Sequence, residues 1–76
     1  MNQRKGNHYD KISQCTIRIE KTIVGSDTAV PEAMLNYAIL KDYGFGRSIV
    51  KKILKTLEEA KIIKQTKKGL WKKGDE

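Results

Sequence analysis

The sequence contains few of the residues from which disulfides and metal sites are built. Cys15 is its one cysteine and His8 its one histidine. A single cysteine cannot form a disulfide within the chain, and a structural zinc site needs about four nitrogen or sulfur ligands. We therefore expect no intramolecular disulfide, no metal site and no cofactor.

Long apolar runs are also missing. A membrane-spanning helix needs about 20 predominantly apolar residues, whereas residues 1–10 are polar and the later apolar runs are only a few residues long. The 76 residues are enough for one domain. We expect a cytoplasmic protein that does not bind a membrane, associated with the nucleoid if its source is prokaryotic or viral.

The sequence has no pattern that indicates catalysis. His8 lies in the polar start of the chain and Cys15 on an apolar stripe, so the two do not suggest a catalytic pair. Glu58 and Glu59 would point about 100° apart on a helix, which makes a poor carboxylate pair. The segment Gly44-Phe45-Gly46 lacks the downstream glycine and lysine of a nucleotide-binding loop. We expect neither an enzyme nor a small-molecule substrate.

Positive charge is concentrated in the second half of the chain. Residues 1–43 carry six basic and five acidic side chains, a net charge of +1, whereas residues 44–76 carry ten and four, a net charge of +6. This asymmetry indicates a polyanionic partner for the second half. The alternative is a lysine-rich surface that serves only solubility.

Apolar spacing predicts an amphipathic first helix after a flexible basic arm at residues 1–8. The members of its apolar stripe recur every three or four residues: Tyr9, Ile12, Cys15, Ile19 and Ile23. Residues 16–20 also alternate as a strand does, so the pattern does not exclude a strand there. Gly25 marks the end of the predicted helix.

The following residues predict a second helix that starts at Pro31, after a short extended segment at 28–30. Residues 31–40 are apolar on nearly every side, which predicts a helix packed between two others. The segment Asp42–Gly46 ends it with two glycines around one aromatic residue.

The third predicted helix has the clearest amphipathic pattern. Its apolar side carries Ile49, Val50, Ile53, Leu54, Leu57 and Ala60. Its other side is polar and cationic. The residues that follow predict two short strands, 62–65 and 70–72, joined as a β-hairpin by a turn at 66–69.

The sequence leaves open whether Trp71 belongs to the core or contacts a ligand.

From Asp42 to Ile63 the sequence resembles the winged helix-turn-helix family. Gly44-Phe45 is similar to the end of the family's turn, Gly46-Arg47-Ser48 to the start of its recognition helix, and Leu57-Glu58-Glu59 to the run before its first wing strand. One departure is Lys61, which stands where the family usually has glycine. We therefore expect a less left-handed backbone at Lys61 than in the family.

The resemblance covers residues 9–73 and implies an α+β winged-helix domain. Such a domain has a three-helix core with a helix-turn-helix, followed by a β-hairpin wing. Residues 74–76 would form a frayed tail. Many family members bind DNA and others bind proteins, so the fold alone does not give the function.

Two groups of side chains are the predicted DNA-binding residues. The recognition-helix group is Arg47, Ser48, Lys51, Lys52 and Lys55. The wing group is Lys64, Lys67, Lys68 and Lys72. The first residues of a recognition helix reach base edges in the major groove, and lysines mainly bind phosphates. The alternatives are a solvated helix face and a lysine-protected sheet edge.

These observations predict a DNA-binding protein, specifically a small transcriptional regulator that binds double-stranded DNA. One module buries little surface, so we expect a homodimer through Ile17 and Val24, which lie off the core stripe of the first helix. One alternative is a protein-interaction or accessory module in DNA replication. Another is a nonspecific architectural DNA binder.

Overall fold

The structure, a computed structural model, describes residues 8–74, with side chains for 10–74. Its elements are α1 (His8–Val24), β1 (Val30–Pro31), α2 (Glu32–Tyr43), α3 (Arg47–Glu59), β2 (Ile63–Lys67) and β3 (Leu70–Lys73). The strands form one antiparallel sheet in the order β1-β3-β2. The predicted α+β class is confirmed, and the layout is compatible with a winged helix. Apart from His8, the predicted arm lies outside the described residues.

Helix α1 contributes one side to the core, as its spacing predicts. Cys15, Ile19 and Ile23 are fully buried, because residues four apart lie on the same side of a helix. The opposite side of α1 faces solvent and carries Ile17 and Val24, which are exposed. The side chain of Tyr9, the first member of the predicted stripe, lies outside the described residues.

Helix α2 packs against two other helices, α1 and α3, as its apolar pattern predicts, but they do not cover it on all sides. Only Leu35 and Ile39 are buried. Three large apolar side chains on its outer side remain half-exposed or more: Met34 (51%), Tyr37 (66%) and Leu40 (56%). The physical reason is that α1 and α3 pack against the inner side of α2, while no described element covers the outer side.

Pro31 belongs to β1 and not to the second helix, contrary to the sequence-based prediction. It adopts an extended conformation and precedes the first helical residue, Glu32. Val30 and Pro31 pair with Trp71 and Leu70 of β3. Because proline has no backbone N–H, it cannot donate to this ladder. The next amide, of Glu32, instead donates to the Gly69 carbonyl at 2.8 Å.

Glycines form the connection between α2 and α3. Gly44 adopts a left-handed conformation (φ 79°), and its amide donates to the Leu40 carbonyl. Gly46 precedes α3 in an extended conformation without a side-chain cap. Phe45, between them, packs against the core. The turn therefore has the apolar anchor that the sequence predicts.

The end of α3 contradicts the expectation for Lys61. Its φ is +65°, so this lysine takes the left-handed conformation that glycine usually supplies. The amide of Ile62 donates to the Leu57 carbonyl, and that of Lys61 to the Glu58 carbonyl. This pair of bonds is a Schellman motif. The bonds, with Ile62 packed on the core, hold the backbone left-handed despite the lysine side chain.

The predicted hairpin is confirmed, although its strands are longer than predicted. The turn contains Gly69, whose φ is +79°, and the register shifts between Gln65 and Lys67. Gly74, the first residue of the expected tail, still donates its amide to the Ile62 carbonyl at 2.8 Å. A Cβ at Gly74 would lie 2.3 Å from the Lys61 carbonyl oxygen, so this position has no room for a side chain.

The core lies between the three helices and the inner side of the sheet. It includes Trp71, which is buried on β3, and this settles the question that the sequence left open. Cys15 lies in the same core. Burial raises the pKa of the Cys15 thiol, and the positive charge of Arg18 opposes this shift in part. The thiol is therefore a packing group and a poor nucleophile.

We predict that Lys61→Gly stabilises the protein by roughly 0.5–1 kcal/mol. A residue with a Cβ raises the free energy of a left-handed backbone, and this strain exceeds the conformational entropy that glycine adds to the unfolded chain. Urea denaturation measures the free energy of unfolding. Lys61→Ala is the matched control, since it removes the same charge but keeps the Cβ. Equal stability of the two variants would contradict the prediction.

We predict that Cys15 contributes less to stability as the pH rises. The folded-state pKa is raised, so the unfolded thiol ionises first, and the contribution is fully present only below the unfolded pKa of about 8.5. The difference in unfolding free energy between the wild type and Cys15→Ala should shrink above that pH. Iodoacetamide should alkylate Cys15 quickly in urea and slowly in the native protein. Rapid alkylation of the native protein would contradict the burial of Cys15 in the core.

Candidate nucleic-acid interface

The outer side of α3 presents all five predicted recognition-helix residues to solvent. Arg47, Ser48, Lys51, Lys52 and Lys55 are exposed. The opposite side carries four buried residues: Val50, Ile53, Leu54 and Leu57. The helical repeat of 3.6 residues separates the two sets. The first two turns of the outer side thus carry only neutral or positively charged side chains.

The beginning of α3 lacks a side-chain cap. Gly46 occupies the capping position and offers no side-chain acceptor, so the first N–H groups of the helix can donate to an acceptor on a binding partner. These amides form the positive end of the helix dipole. Arg47 and Ser48 lie in this first turn. The turn therefore combines a guanidinium, a hydroxyl and backbone N–H groups that have no side-chain cap.

A groove runs between α3, the beginning of α2 and the tip of the hairpin. It is open and has a volume of about 440 Å³. Arg47 and Lys51 line it from α3, and Lys68 lines it from the hairpin turn. Three cations from two distant parts of the chain thus meet on one surface. This is a surface suited to a polyanion.

A second depression of about 280 Å³ adjoins this groove between α3 and the hairpin. The two share Glu32, Lys51 and Gln65, and the second adds Lys55 and Glu58. The cationic surface therefore continues along α3 as far as Lys55, and Glu58 brings the first acid of α3.

Glu32 is a residue of this surface that sequence reasoning missed. Its Oε1 accepts a hydrogen bond from Trp71 Nε1 at 3.1 Å, and its Oε2 lies 3.5 Å from Lys51 Nζ. From the sequence Glu32 is merely a favourable acid at the start of a helix. No local pattern could reveal its contact with Trp71, which is 39 residues away.

The hairpin divides the predicted wing lysines between its two sides. Lys64 and Lys72 are cross-strand partners, as are Gln65 and Trp71. Because side chains alternate along a strand and Trp71 points to the core, Lys64 and Lys72 point away from the groove. Only Lys68 of the predicted wing group lines the groove, while Lys67 is exposed at the end of β2.

The outer side of the hairpin forms a separate cationic surface. Lys64, Lys72 and Lys73 line a depression of about 340 Å³ together with Ser26 and Asp27. The Lys72 ammonium donates to the Asp27 carbonyl at 3.4 Å. The predicted wing group is thus divided into Lys68 at the groove, Lys67 at the end of β2, and the pair Lys64 and Lys72 on the opposite side.

Two apolar surfaces lie away from these lysines. One consists of Ile17 and Val24 on α1, which are 53% and 38% exposed. The other is the outer side of α2 with Met34, Tyr37 and Leu40. Arg18 of α1 is ion-paired with Asp42 at the end of α2.

Within the described part of the chain, the structure brings together no group of three or more His, Cys, Asp and Glu side chains that could hold a metal ion. No helix among the described residues has the length and apolar character needed to cross a bilayer.

In comparisons with known proteins, no family model matches this chain, and neither a curated protein nor a solved structure is significantly similar to it.

Proposed function

We propose that this chain is a winged-helix protein that binds double-stranded DNA and acts as a small transcriptional regulator. The observation that supports the proposal best is the meeting of Arg47, Lys51 and Lys68 in one groove. Helix α3 is long enough, with an uncapped cationic start, to enter the major groove with its first turns. The hairpin tip would then lie on the adjacent backbone.

The side chains of α3 differ in what they can recognise. Arg47 has a planar guanidinium that can donate two hydrogen bonds to guanine, so it is the proposed base-reading residue. Ser48 can bond a base edge or a phosphate. Lys52 and Lys55 are exposed point charges, suited to phosphates. Arg47 would therefore supply preference for a sequence, and the lysines would supply most of the affinity.

The second candidate function is nonspecific architectural binding. It is favoured by the outer side of the hairpin, where Lys64 and Lys72 form a cationic surface that points away from α3. A protein with two cationic surfaces can contact two DNA segments, or one bent segment, without reading bases. Binding of this kind would not depend on Arg47.

A third candidate is a protein-interaction or accessory module in replication. The outer side of α2 favours it, because Met34, Tyr37 and Leu40 are large apolar residues left open to solvent. Contiguous apolar surface of this kind marks interaction sites in many proteins. Such a module would bind DNA weakly or not at all.

A second copy of the chain is the proposed protein partner. A single small DNA-binding module buries about 600–1,000 Å², which limits its affinity for one site. Pairing of α1 through Ile17 and Val24, both exposed, would leave α3 of each copy open. The two copies would then read half-sites about one helical turn apart.

We predict that binding to duplex DNA weakens steeply with salt and depends on Arg47. About four phosphate contacts would reduce affinity roughly 100-fold between 50 and 200 mM salt. Arg47→Ala should weaken binding to a preferred duplex by about 1–3 kcal/mol and relax the preference. Fluorescence anisotropy with a preferred duplex and a random duplex pool measures both.

Lys21→Ala is the matched control, since Lys21 is an exposed cation on α1, a helix that contributes no lining residue to the groove. It should leave the sequence preference unchanged. Equal binding to every duplex, unaffected by Arg47→Ala, would contradict the transcriptional-regulator proposal and favour nonspecific architectural binding. No binding at low salt would rule out the DNA-binding proposal and favour the interaction module.

We predict that the chain is a dimer at micromolar concentration and that Ile17→Glu makes it a monomer, because the substitution places a charge in the proposed apolar contact. Sedimentation equilibrium measures the mass of each variant. Tyr37→Glu is the matched control on α2, and it should remain a dimer. A dimer broken by Tyr37→Glu and kept by Ile17→Glu would move the interface to α2, and a monomeric wild type would exclude dimerisation.

A further inference from the structure

Glu32 connects three elements that form the candidate interface. Its amide donates to the Gly69 carbonyl in the hairpin turn at 2.8 Å. Its carboxylate accepts from Trp71 Nε1 at 3.1 Å and lies 3.5 Å from Lys51 Nζ. One residue at the start of α2 is thus bonded to the hairpin twice and paired with the middle of α3.

The two side chains of the Glu32–Lys51 pair differ in their exposure to solvent. The Glu32 side chain is 16% exposed and that of Lys51 is 69% exposed. The carboxylate accepts a hydrogen bond from the buried indole of Trp71, whereas the Lys51 side chain is mostly exposed. The acid is therefore the more restrained partner, and its charge has a defined place in the groove.

The negative charge of Glu32 matters because its neighbours in the groove are cations. It lines the same groove as Arg47, Lys51 and Lys68. A carboxylate at this place repels phosphate and neutralises the nearest ammonium. A glutamine at this position could still accept the Trp71 hydrogen bond without repelling phosphate.

We infer that Glu32 is a positioning residue that weakens the contact between Lys51 and the DNA backbone, so that the protein binds duplex DNA of arbitrary sequence less tightly and its preferred sequence more selectively. This inference depends on the proposed function. In the wild type, the Glu32 carboxylate partly neutralises the Lys51 ammonium, so Lys51 contributes less to counterion release than an unpaired lysine. When the acid charge is removed, Lys51 becomes a full phosphate ligand.

The test is Glu32→Gln in the full chain, with binding measured by anisotropy over a series of salt concentrations. Each phosphate ligand changes the slope of log affinity against log salt by about −0.9. We expect Glu32→Gln to make the slope steeper by up to that amount and to bind the random duplex pool several-fold more tightly at low salt. The ratio of preferred to random binding should fall.

Glu59→Gln is the matched control, because Glu59 is exposed at the end of α3, lines neither depression, and its substitution changes the net charge equally. It should leave the slope nearly unchanged. In a Lys51→Ala background, Glu32→Gln should no longer steepen the slope. Thermal unfolding and the fluorescence of the single tryptophan check that the fold of each variant is intact.

The outcomes separate the inference from the proposed function. If the wild type binds DNA but Glu32→Gln and Glu59→Gln have the same slope, Glu32 does not position Lys51 and the inference is wrong while DNA binding stands. A steeper slope that persists without Lys51 also overturns it. If the wild type does not bind DNA at low salt, the proposed function fails and the inference fails with it.

Discussion

The contact between β3 and the start of α2 determines how the functional parts of this domain are arranged. Trp71 is buried in the core, and Val30 pairs with it across the sheet. Its indole N–H is satisfied by Glu32, and a buried N–H without an acceptor would cost about 1–3 kcal/mol. This contact fixes the hairpin relative to α2, and α2 in turn packs against α3. The groove between hairpin and α3 has a defined shape for that reason.

The parts of the fold that depend on local pattern could be predicted from the sequence. The two sides of α3 follow from residue spacing alone, because apolar residues three and four apart share a side of a helix. The burial of Cys15, Ile19 and Ile23 follows in the same way. The pattern cannot predict how much of an apolar helix is covered by neighbouring elements. Helix α2 is apolar on most sides, yet only Leu35 and Ile39 are buried.

The candidate site shows the same division between local and distant effects. Exposure of the five α3 residues followed from the helix pattern, whereas the separation of Lys68 from Lys64 and Lys72 required the strand register. The role of Glu32 required the packing of residues far apart in the chain. Lys61 illustrates a third case, in which two backbone hydrogen bonds and the burial of Ile62 outweigh the local preference for glycine.

On α3 the charged side chains lie on one side of the helix and the core residues on the other. Burial of Val50, Ile53, Leu54 and Leu57 contributes roughly 6–12 kcal/mol of hydrophobic stabilisation, so the exposed lysines can change without unfolding the helix. A groove made only of cations would bind every duplex through phosphates, because that attraction is independent of sequence. In the proposed DNA complex, an acid held by the buried Trp71 would reduce this general attraction. Selectivity in so small a domain would then depend as much on restrained charge as on added charge.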